Sequence, residues 1–222
     1  MQRPDLKATD TIESTHPAVV DFARRHSGGS GGDLGQAVSL FYAVRDGFRY
    51  DPYQIDLTIA GMKASTTLEV KHGWCVSKAV LLAACCRSLG IPARLGFADV
   101  RNHLSTERMR RKMRTDIFFW HGYTDLLLEG KWVKATPAFN IELCERFGLL
   151  PLEFDGRSDS LYHPYDASGN RHMEYLNDRG TFLDLPIEEI VRTFRQEYRF
   201  GESMPEASRA SFEADVERET GR

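Results

Sequence analysis

A cysteine stands where a loop gives way to an apolar helix, in Gly73-Trp74-Cys75-Val76-Ser77-Lys78-Ala79. Val76, Ala79, Val80, Leu82, Ala83 and Cys86 recur at helical spacing, and Gly90 with Pro92 stops the pattern, which predicts a helix over residues 76–89. Cys75 then falls in the first turn, where free backbone N–H groups and the positive end of the helix dipole favour thiolate over thiol. Lys71, His72 and Lys78 place further positive charge nearby in the sequence. A thiol nucleophile needs a base, and the candidate is His121 in Phe118-Phe119-Trp120-His121-Gly122-Tyr123-Thr124-Asp125. A neutral imidazole takes the proton of a thiol and later hands it to a leaving amine. Taken alone, each residue also has a structural reading, as a small buried thiol and a satisfied core imidazole.

The elements that must bring the two together are the cysteine helix and a hairpin. Phe118–Leu128 reads as a strand that turns at Glu129-Gly130 and returns as Lys131–Thr136. With a two-residue turn, Leu128 faces Lys131 and Tyr123 faces Thr136, so alternation places Thr136 on the face of His121 and diagonal to it. Its hydroxyl can accept from an imidazole N–H, but cannot stabilise imidazolium as a carboxylate does. Asn140 faces Phe119 in the same register and is the second candidate for a group that orients His121; a remote acid such as Asp99 is the third. Asp125 shares the face but lies four strand residues away, about 13 Å, too far to orient the ring. Trp74 and Trp120, which flank the pair in sequence, are candidate substrate contacts. Gln54 is a candidate substrate-binding oxyanion donor beside the Cys75 backbone N–H.

Several separated segments carry a resemblance in order and spacing. These are the Gly-x-Cys at a helix start, Leu89-Gly90-Ile91-Pro92-Ala93-Arg94 leading into a strand, His121, Trp132-Val133 and Thr136-Pro137 after the hairpin. Together with Pro17–Arg25 and the Ala37–Tyr50 segment, they make residues 15 to 140 resemble the transglutaminase-like superfamily of papain-type cysteine enzymes. The resemblance implies an α+β, papain-like transglutaminase core with a central cysteine-bearing helix packed on an antiparallel sheet. It also implies a Cys-His-Asp triad and no cofactor. The family's aspartate lies about fifteen residues past the histidine, within Trp-Val-x-x-Asp-Pro, and here that position holds Thr136. The implied activity is cysteine-dependent hydrolysis of a peptide or protein amide bond through a thioester. The alternatives are acyl transfer to an amine, and a non-catalytic peptide-binding module with a degenerate triad.

The expected organisation is a lead-in over 1–14, a catalytic core over 15–140 and an extension over 141–222. The Gly-rich stretch 27–32 reads as a connection between two helices, and 51–72 as irregular structure. In 101–114, Ser105 or Thr106 caps a short helix with Met109 and Met113 inward. Its basic residues are either a rim that selects acidic substrate or a solvated face. Leu161–Tyr175, rich in aromatics and histidines, reads as a hairpin or loop that walls the cleft. Pro186 opens a helix with Ile187, Ile190, Val191, Phe194 and Tyr198 as its apolar stripe, and the tail from Glu202 is expected to fray.

The 222 residues carry a net charge of −3 and a hydrophobic fraction of 41%, enough for a core and no reason to expect nucleic acid as a partner. With no apolar leader and no run approaching about 18 apolar residues, the expectation is no membrane and a cytoplasmic location. Cys75, Cys85, Cys86 and Cys144 suit reduced thiols. A metal is not expected, since Cys86 lies about 16 Å along the helix from Cys75.

Overall fold

In the computed structural model, residues 3–29, 31–103, 105–162, 165, 168–169, 172–198 and 211–221 are described. The chain opens with α1 (Pro17–His26) and α2 (Gly32–Gly47), joined across the Gly-rich connection. A two-residue strand β1 (Arg49–Tyr50) follows, then α3 (Ala64–Val70) and β2 (His72–Gly73), which pairs with β1 in parallel, Tyr50 beside Gly73. That small ladder, extended by Asp51 N–H donating to Gly73 O at 2.9 Å, delivers the chain to α4 (Cys75–Ser88). Helix α3 corrects the expectation of irregular structure over 51–72; Lys63 precedes it, and Glu13 holds its first turn by accepting from Ser65 N–H and Oγ–H.

Every residue of α4 from Cys75 to Arg87 is buried. A helix apolar all round belongs at the centre of a fold, and α4 packs on α1, α2 and α3 on one side and on a sheet on the other. The sheet is antiparallel, in the order β5-β4-β3-β6, with β3 Ala93–Asn102, β4 Ile117–Leu128, β5 Lys131–Ala135 and β6 Met173–Phe182. This is the α+β arrangement expected from the sequence, with the cysteine helix against an antiparallel sheet. The β4/β5 hairpin has the anticipated register, Leu128 opposite Lys131 and Thr124 opposite Ala135, so the next rung is Tyr123 and Thr136. Thr124 Oγ1 donates to Ala79 O at 2.9 Å and fixes the sheet to the second turn of α4.

The segment beyond residue 140 forms α6 (Ile141–Phe147), β6, α7 (Ile187–Glu197) and α8 (Phe212–Thr220). Strand β6 completes the sheet beside β3, and Ile190, Phe194 and Tyr198 of the anticipated stripe are buried. Of the tail expected to fray from Glu202, 202–210 and 222 lie outside the described residues, and Phe212–Thr220 form α8, docked through Phe212. That ring stands 5.8 Å from Tyr50, 5.2 Å from Tyr53 and 6.1 Å from Phe147. Helix α5 (Glu107–Met113) is capped by Thr106 and turns Met113 inward, as expected. Its cations face α8: Arg108 meets Asp215 at 2.7 Å and Arg110 meets Glu219 at 3.8 Å. Two cations of the basic stretch therefore seat the C-terminal helix, while Arg101 pairs with Asp116 and Glu174 and Arg111 with Glu107.

Lys78 is fully buried, and its ammonium donates to the carbonyls of Arg45 (2.8 Å), Phe48 (2.7 Å) and Ala138 (2.6 Å). It thereby ties the end of α2 and the segment after β5 to the cysteine helix. Lys78→Met should lower stability by about 2–4 kcal/mol, since three buried carbonyls lose charge-assisted bonds while one buried cation is relieved. Urea unfolding monitored by tryptophan fluorescence measures this, and an unchanged midpoint would show that the clamp carries no weight.

Candidate active site

The start of α4 is shaped by its own side chains. Trp74 is extended (φ −108°, ψ 179°), its N–H donates to Ser77 Oγ at 3.1 Å, and Ser77 Oγ–H donates back to Trp74 O at 3.3 Å. Position 73 must be glycine here, because a Cβ would lie 2.5 Å from Ser77 Oγ and 3.2 Å from Lys78 Cγ. Cys75 is consequently the first helical residue, with Trp74 behind it.

Strand β4 meets this turn at Gly122. A Cβ on Gly122 would lie 3.0 Å from Val76 Cα and 3.1 Å from Val76 Cγ2, so glycine lets the two backbones approach this closely without either having to give. The backbone N–H groups of Gly122, Val76 and Cys75 itself lie close enough to the Cys75 sulfur to favour its thiolate. His121 is therefore the immediate chain neighbour of a residue that touches the thiol. Its place on the strand is set by a bulge: Ala98 pairs with His121, but Val100 pairs with Phe118. Inside that bulge Trp120 has φ +60°, a left-handed conformation that costs a non-glycine residue about 1–2 kcal/mol.

Asp99 holds the strained residue. Its carboxylate accepts from Trp120 N–H at 3.2 Å, Arg179 Nε–H at 2.5 Å and Asn177 Nδ2–H at 3.2 Å. The Trp120 indole donates to Thr193 Oγ1 at 2.9 Å and packs on Phe97 and Phe182. Trp120, considered above as a substrate contact, is thus a core brace beneath His121, and Asp99 acts on the backbone of the bulge rather than as a free acid. Asp125 is paired away from the site with Arg94 at 2.6 Å.

The groups considered for orienting His121 divide as follows. Asn140 is committed elsewhere: its Oδ1 accepts from Tyr50 N–H at 3.0 Å, and its Nδ2 donates to Glu142 at 2.7 Å. The chain leaves the sheet at Ala135 and turns into α6, so the strand register that pointed Asn140 at Phe119 ends before it. Thr136 is buried on the rung after Ala135, and its Oγ1 has no hydrogen-bond partner; neither has the buried His121 Nε2. The side of the ring that a carboxylate would occupy is left without one.

Aromatic side chains close the site. The Tyr162 ring lies 5.7 Å from His121 and 5.5 Å from His172, and Phe139 stacks 4.8 Å from Tyr162. Tyr50, Tyr175 and Tyr198 lie close enough to feel the charge a thiolate would carry. The expectation that Leu161–Tyr175 walls the cleft holds for Tyr162, His172 and Tyr175; His163, Pro164, Asp166, Ala167, Asn170 and Arg171 lie outside the described residues. Tyr50 and Tyr198 were not legible as site residues, because nothing local marks the far ends of elements that converge only in the fold.

Burial decides the protonation states. It pushes the Cys75 thiol up to about 11, against the pull of the surrounding N–H groups, and brings His121 down to about 4, with a smaller contribution from His172. The cations expected to help the thiolate do not reach it: Lys78 Nζ is held by three carbonyls and Lys71 Nζ lies over the Phe48 ring at 5.3 Å. His72 is shifted toward its neutral form by its own burial. The resting pair is accordingly neutral thiol and neutral imidazole, a correction to the low-pKa thiolate that the helix start alone suggests.

Two findings place the chain among known proteins. The model of the transglutaminase-like superfamily matches residues 20–137, just over half of the 222 residues. The chain belongs to the transglutaminase-like superfamily. Among solved structures it is similar to a Cytophaga hutchinsonii protein provisionally called a cysteine protease, at 16% identity and a TM-score of 0.46, covering 81% of this chain and 53% of that one. It is also similar to a Parabacteroides distasonis protein provisionally called a protease, at 17% identity and a TM-score of 0.38, covering 53% of this chain and 22% of that one. The chain thus spans about half the length of the first and less than a quarter of the second. No curated protein matches.

Two measurements follow. Iodoacetamide alkylation of Cys75, read by peptide mass spectrometry, should be slow at pH 7 and rise about tenfold per pH unit toward pH 11, as the thiolate fraction grows; a plateau below pH 8 would contradict a neutral resting thiol. Thr136→Asp should raise the rate at pH 7 by tenfold or more, because a carboxylate beside Nε2 stabilises imidazolium and with it the adjoining thiolate, whereas Thr136→Val should leave it unchanged. Equal rates in all three proteins would place Thr136 out of reach of the ring.

Proposed function

We propose that this protein is a cysteine-dependent amide-bond hydrolase in which Cys75 is the nucleophile and His121 the base. The reading rests above all on the approach of Gly122 to Val76, which brings the residue after His121 into hydrogen-bonding range of the Cys75 sulfur. Membership of the transglutaminase-like superfamily supports the same chemistry. The Cys75 sulfur attacks the carbonyl carbon of a peptide or protein amide while its proton passes to His121, so charge separates only as the bond forms. The oxyanion is held by backbone N–H groups at the start of α4. Collapse of the tetrahedral intermediate breaks the C–N bond, and the leaving amine takes the proton from His121. Water then attacks the thioester with His121 as base and regenerates the thiol. Transfer of the acyl group to an amine differs only in that last nucleophile.

A second reading, a peptide-binding module that keeps the cleft without turnover, is favoured by one observation, the buried His121 Nε2 that has no hydrogen-bond partner. Cys75→Ala and His121→Ala distinguish the two. On a peptide or glutamine-amide library each should reduce turnover at least 10³-fold with the circular dichroism spectrum unchanged. Full turnover in Cys75→Ala would place the nucleophile elsewhere, and absence of turnover in the wild type over the whole library would favour the binding module.

A further inference from the structure

A cavity of about 340 Å³ opens on the side of α4 that carries Trp74 and Ser77, the residues on either side of Cys75 and Val76. None of the groups assigned above to proton transfer lines it, and it extends away from them between the loop after β1 and helix α3. Its walls are Tyr53, Met62, Val70, His72 and Trp74, with Asp56 and Gln54 at the exposed rim. An apolar cavity of about 150 Å³ already accommodates benzene, so this one has room for an aromatic side chain with its backbone attached.

The chemistry of the lining narrows the ligand. Among the described residues it holds no lysine or arginine, and its one carboxylate is Asp56, so an acidic side chain would meet repulsion and no counter-charge. Met62, Ile55, Val70 and the two aromatic rings offer apolar and edge-to-face partners. His72 and Trp74 are two residues apart on extended backbone, so their side chains project to the same side, roughly 7 Å apart, and both line the cavity.

We infer that this cavity is the specificity subsite for an uncharged aromatic side chain on the residue whose carbonyl meets Cys75. The inference deepens the hydrolase reading and rests on it for the position of the carbonyl. It assigns Tyr53, Val70, His72 and Trp74 to substrate selection, and makes Asp56 the group that turns acidic side chains away.

The test uses N-acetyl chloromethyl ketones of tyrosine, phenylalanine and aspartate as probes of Cys75, each rate divided by that of iodoacetamide, which is too small to need the cavity. In the wild type the tyrosine and phenylalanine ratios should be similar, and the aspartate ratio at least tenfold lower. Val70→Trp, at a position 44% exposed where a larger side chain can be built without disturbing the core, should remove most of the aromatic preference. Asp56→Lys should raise the aspartate ratio at least fivefold. Independently of any chemistry, N-acetyl-tyrosinamide added to Cys75→Ala protein should shift the Trp74 indole N–H resonance, and N-acetyl-aspartamide should not. A tyrosinamide shift without reaction at Cys75 would keep the subsite and remove the hydrolase reading. Equal ratios for the three ketones, ratios indifferent to Val70→Trp, or no shift at Trp74 would overturn the subsite.

Discussion

The close approach of β4 to the first turn of α4 sets the terms for everything around it. Helix and strand backbones normally stand apart by the thickness of their side chains; here Gly122 removes one of those layers. The thiol thereby comes close to a strand N–H, and His121 is the residue before it on the strand. The requirement propagates outward. Thr124 bonds to the next helical turn, the bulge at Trp120 turns the chain so that His121 falls beside the site, and Asp99, Arg179 and Thr193 hold that bulge in its unfavourable conformation. On the other side, Lys78 holds the helix against α2 and the post-hairpin segment.

Electrostatically, the site is governed by desolvation more than by the helix dipole. A first-turn cysteine in water-exposed surroundings would gain acidity from the N–H groups around it; buried near Tyr50, Tyr175 and Tyr198, the same thiol loses more from burial than it gains. The imidazole is driven the opposite way, so both members favour the neutral form. A carboxylate at position 136 would change the balance, because it would oppose the burial of the imidazolium and leave the thiolate a permanent counter-ion. With threonine there, burial leaves both groups neutral.

What the sequence disclosed and what it concealed follow from the range of the interactions. The cysteine helix, the hairpin register and the apolar stripe of α7 rest on periodicity and two-residue turns, which are local, and all are found. The roles considered for Trp120 and Asn140 turned on groups far away in sequence. Trp120 is held by Asp99 and Thr193, 21 and 73 residues distant, and Asn140 is occupied by Tyr50, 90 residues back. The acidity of Cys75 was misjudged for the same reason, since its neighbourhood in sequence contains lysines and its neighbourhood in space contains phenols. Helix α8 was hidden by polarity: a surface helix whose seat is a set of ion pairs and one phenylalanine has little apolar pattern to display.

The late arrival of β6 has a consequence for the life of the chain on the ribosome. Strand β3 pairs on one side with β4, a partner synthesised soon after it, and on the other with β6, which begins some seventy residues after β3 ends. Between those moments a nascent three-stranded sheet presents an open edge whose residues Leu95, Phe97 and Val100 are fully buried in the finished molecule. An apolar edge with free N–H and C=O groups invites pairing with other chains. The interval before Met173–Phe182 emerges is therefore the period in which the sheet is most exposed to pairing with other chains, and translation that stalls there would release a protein with a sticky flank rather than one merely lacking its C-terminal helices.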